Sequence, residues 1–520
     1  MAVAHALRIA LVEAGSPGLN IYTGVAMGRG VPMLATVVRD AGYDVRAFVE
    51  DVSGKDSTDW DWVRQADVVG FSAITCTMPR TAELIARARK ENPHATILMG
   101  GPEPTCDPER SFAIGADLVL KGEAELTLPR LLAMLDGTSG ERFADIPGLM
   151  WREEGLLCEG PPNEQLTRAQ LDALPLIDRS LIHHAERASV ASVWRARGCP
   201  SRCDFCEVCE IWPHYVTREP GKTVEELVRA EHDGYATAFL IDDNAAANKP
   251  AFKDLLRSVV DSGFAHMLVM QLRADSVFTK DGRLDKELLR LLKKAAAVTI
   301  VCVGIESAED ADLELMHKGI DSRRMARALK AMKRHGLLVH GMFIALAEDS
   351  REVLRRNGDF ARKYVSSLQY LFETPLPGTK RTLRHMLEGN LLFSALDDLS
   401  LYDGMHVVIK PQSLSPGEMQ ASVLRAYRRF YSVPRIVGAA LSGTFLRFRR
   451  LTEQQRAHLA TLGMGARMRA WTRFQVQYKF ARVGLLAMGH KRVKAFLHDA
   501  AYASYNLRLQ ELPAESEGPR

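Results

Sequence analysis

Four of the eight cysteines in this 520-residue chain lie in one short stretch, at Cys199, Cys203, Cys206 and Cys209. Gaps of three, two and two residues let one loop gather its thiolates around a single inorganic centre, because thiolates bind both iron–sulfur clusters and zinc. Structural zinc normally uses a second pair of cysteines far along the chain. The remaining cysteines stand alone, at Cys76, Cys106, Cys158 and Cys302. The spacing favours a cluster, with a zinc loop or inert buried thiols as the alternatives.

This stretch resembles the radical S-adenosylmethionine (SAM) family, because its C-x-x-x-C-x-x-C spacing has an aromatic residue, Phe205, before the third cysteine. The resemblance implies that Cys199, Cys203 and Cys206 bind three irons of a 4Fe–4S cluster. It also implies that the amino and carboxylate groups of SAM chelate the fourth iron, and that the backbone around Phe205 meets the adenine. Cys209 lies outside the motif, and this interpretation requires it to stay off the cluster.

The length of the chain suggests roughly two to four domains, and 47% hydrophobic with 25% charged residues is ordinary for a globular protein. The net charge of +4 gives no argument for a nucleic-acid partner. Residues 441–520 hold 14 Lys and Arg against 5 Asp and Glu, a net charge of +9. The rest of the chain therefore carries a net charge of 4 − 9 = −5. This basic region predicts either contact with anionic lipid or an acidic substrate, or an ordinary solvated helix face.

Nothing in the sequence resembles a secreted protein. Cysteines clustered in one loop differ from a disulfide framework. The first residues lack a basic segment followed by a long apolar one, so we expect no signal peptide. No run of about 18 apolar residues predicts a membrane span. We expect a cytoplasmic protein, with membrane association through the basic C-terminal region as an addition to test.

Residues 7–120 alternate predicted strands with helices, which predicts a parallel, doubly wound (Rossmann-like) α/β sheet. Its strands are predicted at 7–12, 44–48, 68–71, 96–99 and 116–120. Ligands of such sheets bind past the carboxyl ends of the strands, where glycine permits close approach. Candidate ligand contacts at those ends are Ser72, Thr75, Gly100, Gly101, Gly122 and Glu123.

The sequences F-S-A-I-T-C-T, M-G-G-P-E-P-T and L-K-G-E-A-E-L-T resemble the cobalamin-binding domain that precedes the radical SAM domain in one large subclass, over roughly residues 5–140. The resemblance implies that these loops line a bound cobalamin. The first loop, residues 13–20, has no histidine, and the only histidines before residue 140 are His5 and His94. We therefore expect cobalt without a protein histidine ligand. A degenerate domain that binds nothing is the alternative.

Six further strands are predicted at 190–196, 238–241, 267–271, 299–303, 338–344 and 368–372. With the helices between them they predict a partial (β/α)6 TIM-like barrel, whose reactive groups lie at the strand ends. The loop at 344–350 lacks the glycines usual in the subclass, which puts an adenine contact from that loop in doubt, whereas P-L-P-G-T at 375–379 matches it.

Polar residues follow these strands, as SAM contacts would. By resemblance, Asp242 or Asp243 lies near the SAM amino group. Gln271 and Arg273 lie near its ribose and carboxylate, with Glu306 and Ser307 nearby. A helix-capping role is the ordinary alternative for carboxylates such as Asp243 and Glu306.

We predict a cobalamin-binding domain at 1–145, a linker at 146–189, a radical SAM domain at 190–385 and a mainly helical, substrate-capping region at 386–520. In that region Tyr402 and His406 contact substrate or simply pack. The helices around Trp471 and Tyr478 lie on a membrane surface or pack against the protein.

The predicted function is a cobalamin-dependent radical SAM methyltransferase acting on an unactivated carbon of a small-molecule or lipid intermediate. By resemblance, SAM cleavage gives a 5′-deoxyadenosyl radical, methylcobalamin donates the methyl group, and a flavodoxin- or ferredoxin-type protein supplies electrons. No side chain is assigned a catalytic role beyond holding the cofactors. The alternatives are a non-methylating cyclase or hydroxylase with the same cofactors, and a non-catalytic zinc protein.

Overall fold

The computed structural model describes residues 7–17, 30–441 and 464–512, with the backbone alone for residues 464–478 and 511. Its contacts divide the chain into two compact units. The first unit holds residues up to Asn244 together with Thr374–Ile409, and the second holds Ala245–Glu373 with the residues from Lys410 onward. No helix within the described ranges is both long and apolar enough to cross a membrane.

The first unit contains a seven-stranded sheet in the order β2-β1-β3-β4-β5-β6-β7. Its strands are β1 Arg8–Glu13, β2 Asp44–Val49, β3 Val68–Ser72, β4 Thr96–Gly100, β5 Leu118–Leu120, β6 Leu149–Glu153 and β7 Leu156–Glu159. The first five are parallel, as predicted, and β6 and β7 add an antiparallel hairpin at one edge. The hairpin comes from the stretch predicted as a linker, and it covers an edge that would otherwise expose unpaired backbone.

The helices are numbered in chain order. They are α1 Gly30–Asp40, α2 Glu50–Ser53, α3 Trp60–Val63, α4 Met78–Glu91, α5 Pro102–Cys106, α6 Pro108–Ala113, α7 Thr127–Leu135, α8 Arg168–Ala173, α9 Val208–Ile211, α10 Pro220–His232, α11 Lys249–Asp261, α12 Lys286–Lys294, α13 Asp310–Leu315, α14 Ser322–Arg334, α15 Arg351–Tyr364, α16 Lys380–Leu387, α17 Pro416–Phe430, α18 Val433–Leu441, α19 Met464–Leu497 and α20 Ala500–Glu511.

The central strands of the seven-stranded sheet are apolar because their side chains are buried in the core on both faces of the sheet. The four central residues of β1 are buried on both faces of the sheet. Ile9 and Leu11 belong to one core cluster with Val38 of α1 and Leu131 of α7. Parallel strands covered by helices on both faces read as continuous apolar runs rather than alternating ones.

Four more strands of the first unit carry the cysteine loop. They are β8 Val190–Val193, β9 Ala196–Arg197, β10 Val216–Thr217 and β11 Thr237–Leu240. β8 pairs with β11 in parallel, and β9 pairs with β10 antiparallel. The predicted strand at 190–196 is therefore interrupted before β9, and the cysteines follow β9 directly.

The second unit contains four parallel strands in the order β12-β13-β14-β15. They are β12 Met267–Arg273, β13 Val298–Glu306, β14 Leu338–Ala345 and β15 Ser367–Phe372. With β8 and β11, all six strands predicted for the barrel are present. β13 has an irregularity between Gly304 and Glu306, at its carboxyl end.

The C-terminal residues contribute to both units. In the first unit, a 3-10 helix at Leu396–Leu401 packs on α4 and on the turn at Thr75–Thr77. Nearby, the Tyr402 hydroxyl donates to the Phe393 carbonyl at 2.6 Å, and His406 Nδ1 lies 2.9 Å from Asp403 Oδ1. Tyr402 and His406 thus both contact residues nearby in the sequence, and a substrate role for them stays a prediction.

In the second unit α17 packs on α15, and it begins with a capping box in which Ser415 and Glu418 bond each other's backbone N–H. This is the helix start that its sequence predicts. The side chains of Trp471 and Tyr478 lie outside the described residues, so the membrane interpretation of that region stays a prediction.

Candidate cofactor site

A cavity of about 360 Å³ lies at the carboxyl ends of the first unit's parallel strands. Its walls come from the loops after β1, β3, β4 and β5, which is where a doubly wound sheet binds its ligand. Most of the predicted cobalamin contacts line it, namely Ser72, Gly100, Gly101, Gly122 and Glu123. Thr75 differs, because it is buried and its hydroxyl donates to the carboxylate of Glu103. Its role in the structure is to fix the turn after β3.

Gly101 shows why glycine is required in this wall. Its backbone has φ +103° and ψ −174°, a region that is essentially restricted to glycine. A Cβ atom at this position would lie 2.9 Å from the Ala73 carbonyl oxygen. The loop after β4 therefore approaches the loop after β3 more closely than any side chain permits.

Two of the acidic residues in the cavity wall are Glu13 of β1 and Asp51 of α2. Burial, with a smaller contribution from the negative charge of the neighbouring Asp51, raises the pKa of Glu13, at the end of β1, to about 7. Both residues line the cavity. A carboxyl group that titrates near neutral pH can either donate or accept a hydrogen bond from a bound ligand.

Glu123 joins the cavity wall to the strand that precedes the cysteines. Its Oε1 accepts from the guanidinium of Arg197 and, at 3.1 Å, from Trp212 Nε1. Arg197 also bonds Glu125, and all three charged groups are buried. Burial alone would lower the pKa of Arg197, but Glu125 and Glu123 together raise it. Arg197 and Trp212 both line the cavity, so the carboxylate of Glu123 positions protein groups there.

The two adjacent aspartates after β11 have different environments. Asp242 is buried, and its Oδ1 accepts from the backbone N–H groups of Arg195 and Ala196 at 2.7 and 3.0 Å. Asp243 instead lines the cavity. Asp242 therefore holds the turn between β8 and β9, and Asp243 is the one of the pair that faces a ligand site.

The cysteine loop is compact and partly accessible. All four of its thiols are half-buried, as is Phe205. Burial raises the pKa of the Cys206 thiol to about 12, with Asp243, Cys203 and Cys209 adding to the effect. Within residues 7–17, 30–441 and 464–512, no three His, Cys, Asp or Glu side chains already surround a point that could hold a metal ion. Binding a cluster thus requires the thiols to converge and lose their protons together.

Cys209 is occupied elsewhere. Its thiol donates to the carbonyl oxygens of Ser201 at 3.1 Å and of Cys199 at 3.5 Å. Cys209, which lies outside the three-cysteine motif, thus bonds the backbone at the start of the cysteine loop. That Cys209 stays off the cluster remains a prediction.

Two further side chains, which are not among the predicted site residues, approach the loop. Asn244 Nδ2 lies 4.0 Å from the sulfur of Cys199, and Asn244 Oδ1 is buried with no hydrogen-bond partner among the described residues. Arg381 of α16 lies 3.5 Å from Asp204, inside the motif. Hydrogen bonds and charges near the sulfurs tune a cluster. Three thiols with a neighbouring amide therefore fit a 4Fe–4S cluster.

In the second unit, the predicted SAM contacts lie at the ends of β12 and β13. Gln271 and Arg273 are half-buried while their strand neighbours are buried, so this is the open face of the sheet. The Arg273 guanidinium bonds the Lys318 carbonyl and, at 3.1 Å, Asp275. Glu306, with φ +60°, pairs with Lys318 Nζ at 2.6 Å. Lys318 thus connects Arg273 with Glu306.

Ser307 has a structural environment. It is fully buried, and its hydroxyl lies within hydrogen-bond distance of Asp312 and of Asn357 Oδ1. Its own Oγ accepts from the backbone N–H of Glu309 at 3.1 Å. These bonds fix the turn that follows the strained Glu306.

The sequence of the chain matches two protein-family models. Residues 21–132 match the B12 binding domain, and residues 195–355 match the Radical SAM superfamily. The chain combines a B12-binding domain with a radical SAM domain. These matches confirm the predicted family and its cofactors, namely a 4Fe–4S cluster, SAM and cobalamin.

Known relatives agree with this assignment. An uncharacterized methyltransferase of Pyrococcus horikoshii is 26% identical, over 78% of this chain and 88% of that protein. The anaerobic magnesium-protoporphyrin IX monomethyl ester cyclase of Rubrivivax gelatinosus is 25% identical, over 77% of this chain and 73% of the cyclase. The radical SAM protein is thus an enzyme, as predicted.

Among solved structures, the radical S-adenosylmethionine methyltransferase TsrM of Kitasatospora setae, with cobalamin and a 4Fe–4S cluster bound, has the same fold. Its TM-score is 0.65 at 15% identity, over 95% of this chain and 100% of that chain. The likeness confirms the predicted fold class. The roles of single site residues and the domain boundaries stay predictions.

Proposed function

We propose that this radical SAM protein is a cobalamin-dependent C-methyltransferase that acts on an unactivated carbon of a small-molecule or lipid intermediate. The observation that carries the proposal is the composition of the cavity wall. Loops at the ends of the B12-domain strands share this wall with Arg197, Trp212 and Asp243, which flank the cysteine loop. A methyl-carrying corrinoid and a radical-generating cluster need such neighbouring sites.

The chain contributes binding, orientation and exclusion of water. Cys199, Cys203 and Cys206 hold the cluster, and Asp243 accepts from the amino group of SAM. Arg273 is held by Asp275 and Lys318, which keeps its guanidinium fixed for a carboxylate or ribose. When bound, cluster and SAM supply hydrogen-atom abstraction and cobalamin supplies the methyl group. The electron donor is a flavodoxin- or ferredoxin-type protein.

A second candidate is a ring-forming enzyme with the same cofactors that acts on a tetrapyrrole. The similarity to the Rubrivivax gelatinosus cyclase, at 25% identity over 73% of that protein, favours it specifically. The two candidates differ in product mass, because methylation adds a methylene unit whereas ring formation removes hydrogen.

The experiment incubates the anaerobically reconstituted enzyme with SAM labelled with deuterium in its methyl group, a reductant, hydroxocobalamin and a metabolite extract of the source cells. Methyl transfer predicts 5′-deoxyadenosine, S-adenosylhomocysteine and one metabolite that carries the label. 5′-Deoxyadenosine with an unlabelled product that has lost hydrogen would favour the cyclase. The Cys203→Ala variant is the control and yields neither 5′-deoxyadenosine nor a labelled metabolite.

A further inference from the structure

Arg381 is a buried cation in the first turn of α16. Its side chain is 2% exposed, and its Nη1 lies 3.5 Å from Asp204 Oδ2. The helix is capped by the Thr379 side chain, which accepts from the backbone N–H of Thr382. A charge as buried as this one is costly unless paired. Burial of Arg381 therefore requires a compensating negative charge, and Asp204 supplies one.

Asp204, its partner, stands between Cys203 and Phe205 within the cluster motif. Its side chain is 12% exposed. The other carboxylate oxygen, Oδ1, is buried and has no hydrogen-bond partner among the described residues. The negative charge of Asp204 is thus compensated mainly on the side that faces Arg381.

The turn before α16 holds Arg381 in place. Gly378 there has φ +81°, and a Cβ atom built on it would lie 3.4 Å from Glu210 Cγ and 3.6 Å from Cys106 Sγ. Glu210 belongs to α9, which follows the cysteine loop directly. The turn before α16 is therefore packed against α9 and α5, while Arg381 itself contacts the cysteine loop.

We propose that Arg381 is a positioning residue for the cluster loop, and that the Arg381–Asp204 pair sets the reduction potential of the cluster. Reduction adds negative charge, so a nearby buried cation favours the reduced state and a nearby buried anion opposes it. At this depth each charge is weakly screened by water. The inference rests on the proposed cluster at Cys199, Cys203 and Cys206.

The test measures the cluster midpoint potential by an anaerobic redox titration of the full-length, reconstituted chain, with iron content determined in parallel. Arg381→Gln is expected to lower the potential and Asp204→Asn to raise it. The double variant is expected to return close to the wild-type potential. Arg381→Lys keeps the charge and is expected to stay near wild type, as is Arg384→Gln, an exposed position of the same helix.

Shifts of the same sign in Arg381→Gln and Asp204→Asn would overturn the proposal, as would unchanged potentials. An equal shift in Arg381→Lys and Arg381→Gln would also overturn it, because the charge would then be irrelevant. If Arg381→Gln fails to bind iron, the signs of Asp204→Asn and Arg381→Lys decide the matter. A wild-type chain that binds no iron would instead contradict the proposed function.

Discussion

Arg197 is a buried cation that pairs with two buried carboxylates in the site. It is buried between Glu123 and Glu125, and Glu123 also binds the indole N–H of Trp212. One guanidinium therefore joins the loop after β5 to the strand that leads into the cysteines. If one charged group of a buried ion pair is removed, the remaining charges stay buried with neither a partner nor water to compensate them.

Arg197→Gln is expected to lower the free energy of unfolding by about 3–5 kcal/mol, because two buried carboxylates lose their cation. Urea unfolding followed by circular dichroism measures the change. The control is Arg202→Gln at an exposed position of the cysteine loop that follows β9, which is expected to change stability by less than about 0.5 kcal/mol. An equal loss of unfolding free energy in both variants would contradict a stabilising role for the buried ion pairs of Arg197.

Glu123 was predictable as a candidate ligand contact from its position after a strand, but its pairing with Arg197 was not. The two residues are 74 positions apart, and no periodicity links residues at such separation. Asp242 and Asp243 show the same limit on a smaller scale. A sequence pattern does not distinguish two adjacent aspartates that follow a strand. The course of the backbone decides that Asp242 bonds the Arg195 backbone and that Asp243 faces the cavity.

At the scale of elements, β4 and the turn into α5 define the cavity. The strand runs as its apolar sequence predicts, and the turn depends on Gly101, whose backbone conformation excludes other residues. Most predicted strands agree with the structure within one or two residues. The β6–β7 hairpin was not predicted as part of the sheet, because short antiparallel edge strands carry little apolar periodicity.

Gly101→Ala is expected to destabilise the chain by about 2–4 kcal/mol and to weaken hydroxocobalamin binding. The strained φ and ψ contribute, as does the 2.9 Å approach to the Ala73 carbonyl. Gly137→Ala is the matched control, since Gly137 also has a positive φ, of +75°, but no atom lies within 4 Å of its Cβ position. It is expected to cost only about 1–2 kcal/mol and to leave binding unchanged. Equal effects would contradict a role for crowding at Gly101.

At the scale of the whole molecule, one unit collects residues from distant parts of the chain. The cavity, the cysteine loop and Thr374–Ile409 all belong to the first unit. The fold class and the cofactors were predictable, because cysteine spacing and strand-end glycines are local signals. The return of residues 374–409 to the first unit depends on tertiary contacts, such as that between Arg381 and Asp204, which a local pattern does not encode.

The central claim is that one chain holds both a cluster and a corrinoid. The most direct measurement is elemental analysis of iron, cobalt and zinc in the chain purified without oxygen and reconstituted with iron, sulfide and hydroxocobalamin. The account predicts about four irons and about one cobalt per chain. It also predicts that Cys203→Ala loses the iron but keeps the cobalt. Zinc in place of iron, or neither iron nor cobalt, would contradict it.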